Sequence, residues 1–447
     1  MSDSYWCELA LVGDAVEASV RISVDAGRFG SITTATPPEG GDRRLPGLTL
    51  PGLSNTHSHA FHRALRSRTQ RDRGTFWTWR DLMYRAVERL DPDGYHRLAR
   101  AVFAEMALAG VTSVGEFHYL HHQPDGSAYA DPNAMGRAMV AAARDAGIRI
   151  TLLDTLYLHG GLDGSRDSPT HGAQLRFCDG SAPAWIERVA ELADGPSSRI
   201  GAAVHSVRAV DPDAMSVLAD WADGRGGPVH AHVSEQPAEN DACHERFAVT
   251  PLALLDRSGL LTDRFTAVHA THVTEHDVDL LGAAGATVCM CPTTERDLGD
   301  GIAPTTAMVA AGVPLAVGSD SHAVIDLFEE ARAIELDERL RSGRRGVHDA
   351  ASLLEAATSA GHRSLGWHDA GMIAEGWRAD LVTVTPTSVR TAGAGRASAL
   401  ESVVFAASAS DVSNVVVDGK PIVLDGRHVG IDVACALDES ILALMGD

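Results

Sequence analysis

The chain has 447 residues, an apolar content of 45% and a formal net charge of −22 at pH 7. This length suits a large barrel with an accessory domain, and the acidic balance excludes nucleic acid and anionic membranes as partners, because both require a basic surface. An acidic substrate would have to be bound by local arginines, since Lys420 is the single lysine.

The first residues, MSDSYWCELALVGDAVEA, lack the basic segment of a signal peptide. No apolar run approaches the roughly 20 residues that cross a bilayer. The six cysteines are too scattered for a disulfide framework or a zinc ribbon, and Cys289-Met-Cys291 is typical of small buried side chains in a strand. We therefore expect a cytoplasmic protein that does not bind membranes.

Both ends of the chain are rich in predicted β-strands. Residues 4–50 alternate polar and apolar side chains in short runs separated by glycines, which predicts antiparallel strands. The same texture returns near the end, where VDGKPIVLDGR has the Asp-Gly pairs of hairpins. We expect residues 1–48 and 372–447 to form one small β-sandwich domain.

Between these ends, residues 49–371 alternate apolar runs with segments of helical character. DPDGYHRLARAVFAEMALAG, for example, opens with an acid and a proline and closes with a glycine. Eight such alternations predict an α/β fold, the (β/α)8 or TIM barrel. The predicted strands span 48–56, 111–117, 149–156, 200–205, 228–233, 266–270, 286–291 and 314–319.

Histidines and acids follow five of the predicted barrel strands. These residues are His57 and His59 after the first strand, His205 and Arg208 after the fourth, His230, His232 and Glu235 after the fifth, His269 and His272 after the sixth, and Asp320 and His322 after the eighth. The carboxyl ends of barrel strands form one rim, where barrel enzymes place their chemistry. A single histidine there is more often an ordinary polar residue, but five strand ends in register indicate a site.

Alternation along a strand places His57 and His59 on the same face, directed into the barrel mouth. Neutral imidazole is the commonest zinc ligand in proteins. Alternation does not choose between His230 and His232; we favour His232 because it is nearer the rim and Glu235 follows it. We expect His272 to be exposed, and His322 to support the site or be solvated.

His57-Ser-His59, His232, His269, Asp320 and the tail GMIAEGWRADLVTV (371–384) together resemble the amidohydrolase superfamily, in its mononuclear deaminase branch. The resemblance implies one divalent metal ion, with zinc preferred and iron or manganese as alternatives. The implied metal ligands are His57, His59, His232 and Asp320. The implied catalytic residues are Glu235, which shuttles a proton, and His269 with Asp320, which help to deprotonate the attacking water.

The end of the fourth predicted barrel strand, 200–205, bears on the number of metal ions in the site. Binuclear members of the superfamily need a carboxylated lysine or another carboxylate at the end of this strand, whereas this chain offers His205 there and its only lysine, Lys420, lies far along the chain. The resemblance therefore implies a mononuclear site. Family members are often dimers, so we expect a homodimer.

Three segments resemble the branch members that hydrolyse N-formimidoyl-L-glutamate to N-formyl-L-glutamate and ammonia in histidine degradation: 76–90, 115–122 and 205–210. The resemblance implies that five residues contact this dicarboxylate substrate, namely His62, Arg80, Tyr119, His205 and Arg208. His62 stands where relatives are expected to carry a glutamine. Arginine suits the task because its planar fork binds carboxylates through two parallel hydrogen bonds.

Each of these contacts has a plainer alternative. Arg80 could pair with an acid on the surface of a helix, and Tyr119 could simply pack in a strand. We expect most of His118, His121 and His122 to be loop residues.

Two other functions remain open. One is a mononuclear deaminase that acts on guanine or an adenosine-like ring, which needs no carboxylate clamp. The other is a barrel without catalytic activity that binds a metabolite or metal. The complete ligand set together with Glu235 disfavours the latter.

Overall fold

The structure is a computed structural model that describes residues 3–70, 76–163 and 166–446. Its strands are β1 (Asp3–Val12), β2 (Ala15–Asp25), β3 (Arg28–Thr33), β4 (Arg43–Pro51), β5 (Leu53–Ser58), β6 (Val111–His118), β7 (Arg149–Leu156), β8 (Gly161–Asp163), β9 (Arg166–Ser168), β10 (Ser198–Val204), β11 (Val229–Val233), β12 (Phe265–His269), β13 (Thr287–Met290), β14 (Leu315–Val317), β15 (Leu381–Val384), β16 (Val412–Val417), β17 (Lys420–Leu424) and β18 (Arg427–His428).

The helices lie mostly between the barrel strands. They are α1 (Phe76–Arg89), α2 (Pro92–Leu108), α3 (Ala134–Ala146), α4 (Ala182–Val189), α5 (Pro212–Arg225), α6 (Pro237–Phe247), α7 (Pro251–Arg257), α8 (Glu275–Ala284), α9 (Pro292–Leu298), α10 (Thr305–Ala310), α11 (Leu327–Ser342), α12 (Ala350–Ala356), α13 (Ser359–Ser364), α14 (Ala399–Ala406) and α15 (Val433–Met445). Within the described ranges, no helix combines the length and apolar character needed to cross a membrane.

Eight parallel strands form the barrel, in the order β14-β13-β12-β11-β10-β7-β6-β5. All eight correspond to predicted strands, and the predicted TIM barrel is confirmed. Their near-continuous burial follows from helices covering the outer face of the sheet. The chain ends form a second sheet in the continuous order β18-β17-β16-β15-β4-β1-β2-β3.

The predicted first strand, 48–56, is divided between the two sheets. Residues up to Pro51 belong to β4, which pairs with β1 and β15, and β5 begins at Leu53. Gly52 lies between the two strands. Only glycine fits at this position, because a Cβ there would lie 2.3 Å from Thr112 Oγ1. We propose that the domain boundary lies at Gly52 and not after residue 48; the division at residues 371 and 372 stays a prediction.

The barrel closes between β14 and β5, beside the predicted metal ligands. The Asp320 amide donates to the His57 carbonyl at 3.0 Å, and the His59 amide lies 3.3 Å from the Asp320 carbonyl. Gly318 permits this approach, since a Cβ there would lie 2.7 Å from His57 Cβ. Closure therefore brings Asp320 next to His57 and His59.

Candidate active site

Three histidines and one carboxylate converge at the carboxyl rim of the barrel. His57 Nε2 lies 3.2 Å from His232 Nε2 and 3.3 Å from Asp320 Oδ1, and His59 Nε2 lies 3.4 Å from the same oxygen. All four residues are buried. The structure thus brings together the four residues that the resemblance implies as ligands.

Hydrogen bonds from two of these imidazoles to the backbone fix which nitrogen faces the centre. His59 Nδ1 donates to the Phe117 carbonyl at 3.0 Å, and His232 Nδ1 donates to the His205 carbonyl at 2.9 Å. A carbonyl can only accept, so each Nε2 turns a lone pair inward. Burial and the nearby His57 lower the pKa of His59 to about 3, which keeps it neutral. Three neutral imidazoles and one carboxylate fit a divalent metal such as zinc.

The backbone is strained at this rim. Ser234, His269, Ala270, Asp320 and His322 all have positive φ angles, between 41° and 69°. Residues other than glycine adopt this region at a cost of about 1–3 kcal/mol, and such strain concentrates at functional sites. The strain supports the interpretation of this rim as a site.

His269 lies among three carboxylates. Its Nδ1 is 3.3 Å from Glu295 Oε1, and its Nε2 is 3.9 Å from both Glu235 Oε1 and Asp320 Oδ2. Burial lowers the pKa of His269, but Glu235, the hydrogen bond with Glu295, and Asp320 outweigh it and raise the pKa to about 10. The arrangement can therefore hold a proton at this imidazole.

A cavity of about 590 Å³ opens beside the four predicted ligands. Four of the five predicted substrate contacts line it, namely His62, Tyr119, His205 and Arg208. The fifth, Arg80, belongs to α1, but its side chain lies outside the described residues. Trp79, Met83 and Tyr84 of the same helix line the cavity, so α1 covers one side of it.

Two pairs of residues organise the cavity wall. His62 Nε2 lies 3.0 Å from the Tyr119 hydroxyl, and burial holds the pKa of His62 well below its usual value. His62 is therefore a neutral hydrogen-bonding group. Arg208 Nη2 lies 3.8 Å from Glu235 Oε2, and Arg208 Nε lies 2.9 Å from Glu239 Oε2. Arg208 thus places a guanidinium within reach of the predicted proton shuttle.

The sequence interpretation missed Glu239 and Glu295. Both stand in the first turn of a helix that follows a barrel strand, Glu239 in α6 and Glu295 in α9. That position after a strand end was the available signal. It was not decisive, because acids in a first helical turn are common for their favourable interaction with the helix dipole.

Several other histidines can now be placed. The prediction that most of His118, His121 and His122 are loop residues agrees with the structure, since His121 and His122 lie in the loop after β6, and all three side chains are buried. His118 ends β6 facing away from the barrel interior, where its ring lies against Gly136 of α3, and His121 Nε2 is 3.8 Å from the buried Asp154.

His230, His272 and His322 surround the site without lining the cavity. His230 Nε2 is 3.2 Å from the Ser364 carbonyl, deeper in the barrel. His272, predicted to be exposed, is half-buried with Nε2 2.7 Å from the Asp300 carbonyl. His322 is buried between the hydroxyls of Ser58 and Ser319, which confirms the supporting role and not the solvated one.

Replacing Gly318 by Ala is expected to destabilise the protein by about 1–3 kcal/mol, as other overpacked sites do, and to lower its metal content. The added methyl would lie 2.7–2.8 Å from His57 atoms and push β14 away from β5. Thermal unfolding and metal analysis measure both effects. Gly224→Ala, in open space on α5, is the matched control; equal stability of the two variants would contradict the tight closure.

The sequence pattern of the amidohydrolase family matches residues 48–422. The chain is 37% identical to formimidoylglutamate deiminase of Pseudomonas aeruginosa over 440 residues, which is 95% of each chain. It is 28% identical to 8-oxoguanine deaminase of the same organism, over 87% of this chain and 85% of the relative. It is 30% identical to 5-methylthioadenosine/S-adenosylhomocysteine deaminase of Natronomonas pharaonis, over 92% of this chain and 90% of the relative.

Solved structures resemble the chain over nearly its full length. An amidohydrolase from Brucella melitensis has a TM-score of 0.89 and 30% identity, covering 99% of this chain and 100% of the other. An adenosine deaminase from Xanthomonas campestris with bound zinc has a TM-score of 0.81 and 24% identity, covering 98% and 97%. The first of these supports the barrel and the terminal β domain together; the second is a likeness of fold.

Proposed function

The chain belongs to the amidohydrolase family, and we propose that it is a metal-dependent deiminase that hydrolyses N-formimidoyl-L-glutamate to N-formyl-L-glutamate and ammonia. The observation that carries this proposal is Arg208, a cation in the cavity wall 3.8 Å from Glu235. A dicarboxylate needs such a partner, whereas a neutral purine ring does not. The 37% identity to a formimidoylglutamate deiminase supports the same substrate and a place in histidine degradation.

We propose one divalent metal, zinc by preference, held by His57, His59, His232 and Asp320. The donor set of three imidazoles and one carboxylate suits zinc. The fourth barrel strand, β10, is followed by His205, at the position where a second metal would need a carboxylated lysine. The single lysine of the chain, Lys420, begins β17 in the terminal sheet. When bound, the metal would lower the pKa of water and so supply a nucleophile near neutral pH.

The protein's own residues would then move protons. The surrounding carboxylates favour the protonated form of His269, so His269 holds a proton beside the attacking water while Asp320 accepts a proton that this water loses. Glu235 carries one proton of the attacking water to the imino nitrogen as the water oxygen adds to the formimidoyl carbon. The second proton of that water, taken up by Asp320, returns to the nitrogen as the C–N bond breaks and ammonia leaves. Since Glu235 Oε1 and Asp320 Oδ2 are each 3.9 Å from His269 Nε2, these groups can serve one reacting centre.

The remaining cavity residues would position the substrate. Arg208 and Arg80 bind its carboxylates, His62 and Tyr119 act as a hydrogen-bonded pair, and His205 orients the formimidoyl group. Holding the reacting carbon beside the attacking water lowers the entropic part of the activation barrier. The homodimer stays a prediction from the family resemblance, and the cytoplasmic location stays a prediction from the sequence.

Replacing Arg208 by Ala is expected to raise KM for N-formimidoyl-L-glutamate by about 10- to 100-fold, the scale of a lost hydrogen bond to a charged group. The change in kcat should be smaller, because Arg208 binds the substrate away from the reacting atoms. Steady-state ammonia release measures both constants. An unchanged kcat/KM would remove Arg208 from the substrate site.

A further inference from the structure

A second glutamate, Glu239, lies behind Arg208 in the first turn of α6. Its side chain is fully buried, and Oε1 accepts the Ser234 amide at 2.9 Å. Oε2 makes no hydrogen bond within the described part of the chain and faces Arg208 Nε at 2.9 Å. A buried carboxylate needs a compensating charge, and here the guanidinium provides it.

The ion pair uses only one edge of Arg208. Arginine presents five N–H groups in a rigid fork, and Glu239 occupies the Nε edge. The side chain is 30% exposed and lines the cavity, with Nη2 3.8 Å from Glu235 Oε2. Terminal nitrogens of Arg208 therefore remain for a carboxylate that enters the cavity.

We propose that Glu239 is a positioning residue that fixes the Arg208 guanidinium as the recognition group for one carboxylate of the substrate. The inference rests on the proposed function and deepens it, because it makes selectivity for an anionic substrate depend on a buried ion pair. Glu239 also opposes the alternative pairing of Arg208. That pairing is with Glu235: Arg208 Nη2 already lies 3.8 Å from Glu235 Oε2, and without Glu239 the guanidinium would be free to pair more closely with this proton shuttle.

The test is calorimetric titration of the metal-loaded enzyme with three ligands that need no turnover. They are the product N-formyl-L-glutamate, N-formyl-4-aminobutyrate, which lacks the α-carboxylate, and N-formyl-L-2-aminobutyrate, which lacks the γ-carboxylate. Glu239→Gln keeps the acceptor for the Ser234 amide and removes only the charge. Glu245→Gln changes an exposed residue of the same helix and is the matched control.

Glu239→Gln is expected to weaken the binding of the product and of one of the two analogues by about tenfold or more. The other analogue, which lacks the carboxylate that Arg208 binds, should bind as it does to the wild type. Glu245→Gln should change none of the three. Arg208→Lys should weaken the binding of the same analogue. Adding Glu239→Gln to Arg208→Lys should cause little further loss of affinity, because the two side chains act as one unit.

Equal weakening of all three ligands, or no weakening of any, would overturn the positioning role, as would a wild type that binds none of them. If Glu239→Gln fails to fold, Arg208→Lys gives the same pattern or contradicts it. Turnover of N-formimidoyl-L-glutamate is measured in parallel. The expected binding pattern without turnover would support the positioning role of Glu239 and reject the deiminase activity. Turnover without that pattern would support the deiminase activity and reject the positioning role.

Discussion

Replacing Glu235 by Gln is expected to lower kcat for ammonia release by about 100- to 10,000-fold, the usual range for a lost general acid–base group. Glu235 lines the cavity, 3.9 Å from His269 Nε2, and it is the carboxylate in our proposal that gives a proton to the leaving nitrogen. Gln keeps the shape and cannot transfer that proton. KM should change less, since ground-state contacts remain.

Metal content and thermal stability of Glu235→Gln should match the wild type, because Glu235 is not among the four proposed ligands. Glu245→Gln, an exposed change ten residues further along the chain, should retain full kcat. Turnover of Glu235→Gln near the wild-type rate would reject the proton-shuttle role. Loss of its metal would instead move Glu235 into the ligand set.

Replacing Asp320 by Asn is expected to lower both metal content and kcat, the latter by about 1,000-fold or more. Its Oδ1 lies 3.3 Å from His57 Nε2 and 3.4 Å from His59 Nε2, and its Oδ2 faces His269. A neutral amide binds a divalent cation more weakly than a carboxylate and accepts no proton. Metal analysis of the purified variant and ammonia release measure the two losses.

Asp279→Asn, an exposed change on α8, is the control for removing one negative charge. It should keep both metal and turnover. An Asp320→Asn protein that retains full metal but lacks turnover would restrict Asp320 to proton transfer. One that retains both would contradict its place in the site altogether.

The rim residues were predictable because each follows an apolar run that is long enough to be a buried strand. Alternation then placed His57 and His59 on one face, and the barrel topology placed His232 and Asp320 at the same rim. The 3.2–3.4 Å contacts among their polar atoms agree with that prediction. The order of the strands in the barrel determines which of these residues meet at the rim, and the eight alternations of strand and helix already implied that order.

The residues that were missed or misjudged owe their position to packing between elements distant in the sequence. Glu239 looks like any acid in a first helical turn until Arg208 is brought 2.9 Å from it. His118 lies one residue beyond the predicted strand 111–117, yet it ends β6 with its ring against Gly136 of α3. The division of the first predicted strand at Gly52 likewise depends on a neighbour, Thr112 of β6, which no local pattern reveals.

The account is tested most directly by ammonia release from N-formimidoyl-L-glutamate, measured with purified protein of known metal content beside 8-oxoguanine and 5-methylthioadenosine. We expect N-formyl-L-glutamate and ammonia in equal amounts, turnover that scales with bound metal, and no comparable turnover of either purine compound. Faster turnover of a purine, or metal-loaded protein without turnover of N-formimidoyl-L-glutamate, would contradict the proposed function.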